Sequence, residues 1–141
     1  MAAFLLAVSG CSAGVAGSGD AEAIVDQIAR MVPSARKTMA VVADNGSNHV
    51  LCRPDACDSQ ADFADSRLPP DTNLGGLHSG GTVEVFADGS RARTRLDHLR
   101  HTGMASAEYD YESGPAVLRL SPELRTDQAA EYAAAFMQIT E

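Results

Sequence analysis

The feature that most limits what this chain can fold into is a hairpin signature near its C-terminal end. Tyr109 and Tyr111 alternate with acidic residues, Glu112-Ser113-Gly114-Pro115 follows, and Ala116-Val117-Leu118-Arg119-Leu120 comes next. Ala116, Leu118 and Leu120 fall on one face and Val117 and Arg119 on the other, the period-two pattern of a pleated strand. The Ser-Gly-Pro cluster is turn chemistry, and strands joined so tightly pair antiparallel. Helical periods flank the hairpin. Residues 88–100 place Ala92, Leu96 and Leu99 inward, with Gly103 as the stop. Residues 126–139 place Ala129, Tyr132, Ala133, Phe136 and Met137 inward, with Thr126 or Ser121 as the cap.

The first half of the chain adds to the same pattern. Residues 20–32 predict a helix with Ile24, Ile28, Met31 and Val32 on one stripe, capped by Asp20 and stopped by Pro33. Residues 39–43 read as a buried strand, 49–52 as a short second one, 60–66 as a weaker one around Phe63, and 83–86 as a strand. Between the last two, residues 68–81 read as a loop with Pro69-Pro70 and two Gly-Gly pairs. The order predicts an α+β fold, a mostly antiparallel sheet with about three helices packed on one side.

Residues 1–11 read MAAFLLAVSGC, an unbroken apolar run, two small residues and a cysteine. The run and the small pair have the form of a secretory signal and its cleavage site. Val8-Ser9-Gly10-Cys11 resembles the lipobox of bacterial lipoproteins, in which the signal is cut before the cysteine and its thiol carries diacylglycerol. The resemblance implies lipidation at Cys11 and a domain held on the outer face of the cytoplasmic membrane. Residues 1–10 are then the signal peptide, 11–19 a flexible Gly/Ser/Ala tether, and 20–141 one α+β domain. No Lys or Arg lies between Met1 and Cys11. The charged start of a signal therefore belongs upstream of Met1, or the run is a buried element of a cytosolic protein. The run is far shorter than the roughly 20 apolar residues needed to span a bilayer.

A formal net charge of -8 argues against nucleic acid, which requires a basic footprint. With Cys11 assigned to lipid, Cys52 and Cys57 remain as an even pair in CRPDAC. Their spacing is too wide for a CxxC motif, and no second pair completes a metal site. They form a disulfide outside the cytoplasm or stay as two thiols inside it; the oxidising compartment favours the disulfide.

The order of several short pieces resembles a family of small extracytoplasmic domains of Gram-positive bacteria, chiefly actinobacteria, often found as lipoproteins and also in phage genomes. The pieces are Asp44-Asn45 with Asn48, Val50-Leu51-Cys52-Arg53-Pro54, Phe63-Ala64-Asp65-Ser66-Arg67 and 80–86. Glu108-Tyr109-Asp110-Tyr111 with Ser113-Gly114, Leu118-Arg119-Leu120 and 126–132 complete them. Relatives tend to carry Gly before the Arg-Pro and an aromatic or polar residue three past the Pro, where this chain has Cys52 and Cys57. The resemblance implies fold and location, not a reaction.

Three constellations carry chemistry. Asp44, Asn45, Asn48, His49, Arg53 and Asp55 cluster before a turn; Asp44, Asn45, Asn48 and Arg53 are the ligand-binding candidates for a small polar ligand. The same Asp and Asn residues also serve turns by bonding their own backbone. A basic helix carries Arg91, Arg93, Arg95, His98, Arg100 and His101, which face anionic lipid headgroups or a partner, or form a solvated face with Glu84 and Asp97 near enough in sequence to pair with them. Nucleophile signatures are missing: there is no G-x-S-x-G, and Gly75-Gly76 and Gly80-Gly81 lack a P-loop lysine. No catalytic residue, cofactor or metal is assigned. The expectation is a lipid-anchored extracytoplasmic module that binds a protein partner or a small polar ligand, with the membrane as its other contact. A phage- or prophage-encoded superinfection-exclusion lipoprotein is the alternative, and an envelope enzyme comes third.

Overall fold

In the computed structural model, residues 20–43, 51–70, 76–103 and 108–141 are described. Asp20 caps α1 (Ala21–Met31) by accepting from the Glu22 amide, and Ser59 Oγ takes the Ala21 amide at 2.9 Å, fixing the helix start onto the sheet. Strands β1 (Ala35–Val42) and β2 (Ser59–Asp65) follow, then the short α2 (Gly76–Ser79) and β3 (Gly80–Val85). Helix α3 (Gly89–His101) leads to the hairpin β4 (Tyr109–Ser113) and β5 (Ala116–Leu120), and α4 (Thr126–Thr140) ends the chain. The five strands form one sheet in the order β1-β2-β3-β5-β4, every neighbouring pair antiparallel. The α+β class and antiparallel sheet are as the periodicities require.

Registers divide the sheet into two faces. Ala61 and Phe63, Val83 and Val85, and Ala116, Leu118 and Leu120 share the face that meets α1 and α4. There Ile24, Val25 and Ile28 of α1 and Ala129, Tyr132, Ala135 and Phe136 of α4 close the main core. Gln60, Asp62, Thr82, Glu84, Val117, Arg119, Asp110 and Glu112 alternate onto the opposite face. Not all helices lie on one side: α3 packs on this second face, with Ala92 against Val117 and Phe86. The reason is topological. β3 and β4 run the same way on either side of β5, so the passage through α3 crosses β5, and the charged residues beneath it need a cover.

Local differences from the periodicity have physical causes. β1 begins four residues before the apolar run and is not the buried strand expected there, Met39 and Val42 being 48% and 65% exposed, because an edge strand is held by backbone pairing while its side chains stay at the surface. Leu51 and Cys52 lie in a turn rather than a strand, and 76–79 is helical inside the expected loop. Neither Thr126 nor Ser121 caps α4: Gln128 Oε1 accepts the Arg125 amide, and Ser121 Oγ serves Glu123 instead. Met31 and Met137 face outward, 42% and 37% exposed, while Val25 and Ala135 take inward places.

Gly80 and Gly81 are required by close approach. A Cβ on Gly80 would stand 2.3 Å from the Phe63 carbonyl oxygen, and one on Gly81 would stand 2.6 Å from Phe63 Cζ. The pair, which lacks the lysine of a phosphate loop, is a packing device.

Candidate functional site

On the second face an ion network runs from the edge strand to the disulfide loop. Residues 51–58 return the chain from β1 toward β2, with Cys52 and Cys57 joined by a disulfide at a Cα separation of 5.5 Å. Both sulfur-bearing residues pack with Phe86, Ala92 and Val117. The loop has a cis Arg53–Pro54 bond, left-handed backbone at Cys52 and Ala56, and an Asp55 amide that donates to the Cys52 carbonyl at 3.0 Å.

Arg95, near the middle of α3, points down into this loop and the sheet. Its Nε and Nη2 donate to Glu84 Oε2 and Oε1 at 2.8 and 2.9 Å, a two-pronged carboxylate grip. Its Nη1 donates to the Arg53 carbonyl at 3.1 Å and to Asp55 Oδ2 at 3.2 Å. Arg119 of β5 donates from Nη1 to Glu84 Oε1 at 3.0 Å and from Nη2 to both Glu108 oxygens at 3.1 and 3.3 Å. Burial works against both guanidinium charges, but the carboxylates around them, Glu84 with Asp55 for Arg95 and Glu84 with Glu108 for Arg119, together more than offset it, so each stays cationic. The Glu84 side chain is 1% exposed.

Asp110 is the member left out. Its side chain is 4% exposed and its Oδ1 lies 4.0 Å from Arg119 Nε. Both Asp110 oxygens and that Nε are buried without a hydrogen-bond partner. Burial first, and then the negative charge of Glu108, push its carboxyl up to about 7. His98 Nδ1 lies 3.8 Å from Asp55 Oδ1 at the rim of the network.

A second buried carboxylate braces the main core. Asp65 accepts from Tyr132 Oη at 2.7 Å, from the Arg67 amide at 2.7 Å, and from Arg67 Nη2 at 2.7 Å. Burial alone would raise it, but these donors hold its carboxyl below the ordinary carboxylate range. A shallow depression of about 420 Å³ lies where the end of α1 meets α4, between Met31, Pro33, Ala134 and Gln138.

The disulfide read from the cysteine pair is present. Cys11, Asp44, Asn45 and Asn48 lie outside the described residues. Arg53 is exposed, and its carbonyl is the part held by the network. The basic helix divides: Arg91, Arg93, Arg100 and His101 face water, while Arg95 is buried on Glu84. Among the described residues no group of three His, Cys, Asp or Glu side chains is placed to hold a metal ion, and no helix is long and apolar enough to cross a membrane. No protein-family model, curated protein or solved structure matches this chain.

Chemically, the network fastens a loop to a scaffold and leaves the Asp110 carboxyl buried without a donor. The sequence reading offered Glu84 as a partner for the basic helix, and Arg95 takes it; it missed Arg119, Glu108 and Asp110, although Arg119 stands as a lone charge among apolar strand neighbours. That was the available signal.

Proposed function

We propose that this chain is a lipid-anchored extracytoplasmic binding module of the kind found in actinobacteria and their phages. A signal over 1–10 is removed, Cys11 carries the lipid, and 11–19 tethers the domain to the outer face of the membrane. Recognition uses the segment from Asp44 to Arg53, with Asp44, Asn45, Asn48 and Arg53 as contact residues for a protein partner or a small polar ligand.

The observation that carries this reading is the Cys52–Cys57 disulfide, gripped from below by Arg95. Disulfides persist in oxidising compartments, which supports a location beyond the cytoplasm. A loop pinned at its end by a covalent bond and two hydrogen bonds loses less freedom when it binds, and rigid scaffolds commonly present recognition groups on loops.

Two measurements test the reading. A non-reducing peptide map of protein from its native host is expected to show the linked peptide; two freely alkylated thiols refute the compartment. Cys11→Ala is expected to release the protein to the soluble fraction or leave it unprocessed; unchanged fractionation and mass refute the anchor.

A further inference from the structure

We propose that Asp110 is a proton switch, a carboxyl held neutral by its surroundings whose ionisation draws Arg119 away from Glu84 and loosens the ion-pair chain ending on the disulfide loop. The argument rests on counting donors. Four carboxyl groups, Glu84, Glu108, Asp110 and Asp55, share two guanidinium groups, Arg95 and Arg119. Glu84 receives three hydrogen bonds from them, Glu108 two and Asp55 one, while Asp110 receives none. A buried carboxylate without a donor is costly, so the group resolves the imbalance by keeping its proton.

The surroundings on every side agree. On its own strand and the turn before it stand Glu112, tied to Arg93, and Glu108. Arg119 faces it from β5, Glu84 from β3 and Arg95 from α3, with Asp55 and His98 further along the network. The two carboxylates nearest it, Glu108 and Glu84, already match the two guanidinium groups, so an ionised Asp110 adds a negative charge with no counterpart. A carboxyl pushed up to about 7 fits that arrangement. The sign follows: a raised folded value means stability is full below the ordinary carboxylate range and is lost as pH rises through about 7.

Ionisation has a structural path to follow. Arg119 Nε is already 4.0 Å from Asp110 Oδ1 and has no other bond to lose. A small rotation that closes this gap carries Nη1 away from Glu84, which then depends on Arg95 alone. Arg95 is the same side chain that holds the Arg53 carbonyl and Asp55. The switch therefore reads out on the loop whether or not that loop binds anything, and it stands independently of the proposed function.

The test is a carbon-13 NMR titration of the Asp110 carboxyl in the oxidised protein. A midpoint near neutrality is expected, with the Asp55 and Cys57 amide resonances moving at the same midpoint. Histidines titrate in this range as a class, and His98 touches Asp55, so the titration is repeated in His98→Gln. The loop response is expected to survive that change and to vanish in Asp110→Asn. A carboxyl midpoint at or below about 5, or loop amides that fall silent in His98→Gln, overturns the proposal. Should Asp110→Asn fail to fold, the wild-type and His98→Gln titrations decide it.

Discussion

Replacing Glu84 by Gln asks how much of the second face depends on one carboxylate. The side chains are nearly equal in volume, so the change removes charge without opening a cavity. Glu84 accepts three bonds between 2.8 and 3.0 Å and is 1% exposed. Removing one partner of a buried ion pair typically costs about 3–5 kcal/mol. The Gln carbonyl still accepts one bond and Arg119 keeps Glu108, which places the expectation near the lower end, about 3 kcal/mol. For a domain of this size that is a fall in Tm of roughly 12 °C, at about 4 °C per kcal/mol. The assay is urea and thermal unfolding by circular dichroism, with an unchanged urea slope as the sign that stability alone has moved. Arg95→Met completes a double-mutant cycle, and the double variant is expected to lose about 1–3 kcal/mol less than the sum of the singles. The loss from Glu84→Gln is expected to be larger at pH 5 than at pH 8, where an ionised Asp110 replaces the missing charge beside Arg119. A loss under about 1 kcal/mol, or an additive cycle, refutes the view that this network is dry and coupled.

Two further outcomes follow from the other face. Gly81→Ala forces a Cβ to within 2.6 Å of Phe63 Cζ and 2.7 Å of the Arg119 carbonyl oxygen, and is expected to cost about 1–3 kcal/mol in urea unfolding; a wild-type midpoint means the strands have room to part. Tyr132→Phe removes the hydroxyl that donates to Asp65 at 2.7 Å and is expected to cost about 1–2 kcal/mol at pH 7. Because Asp65 is held low, its stabilisation is present above the ordinary carboxylate range and lost as pH falls through the folded value. The variant raises that value, so acid unfolding by circular dichroism should begin at a higher pH, and an unchanged acid midpoint contradicts the role given to Tyr132.

What was legible in the sequence was local. Asp88 at the start of α3 and Gly103 at its end are caps written within one helix, and the alternation over 116–120 places each residue on its observed face. Partner identity was not local. Glu84 and Arg119 meet because β3 pairs with β5 across an intervening helix and strand, and no spacing rule encodes that register. The side of the sheet chosen by α3 is set by the same crossover. Arg53 drew notice as a fork donor in a turn, yet the network uses its carbonyl, a group every residue carries and no sequence distinguishes. The early half of β1 was hidden for the opposite reason: an edge strand in water has no burial pattern to read.

The pairing of the first and last helices has a consequence for when this protein acquires its shape. α1 and α4 lie together on one sheet face, and Tyr132, Ala135 and Phe136 complete the core around Phe63 and Leu118. Until the last fifteen residues of α4 leave the ribosome, that face has half its cover and the sheet lacks a closed interior. The nascent chain therefore has little to gain by folding early. Such a chain stays open until α4 has been made, and it closes its core only when that helix is free to dock beside α1.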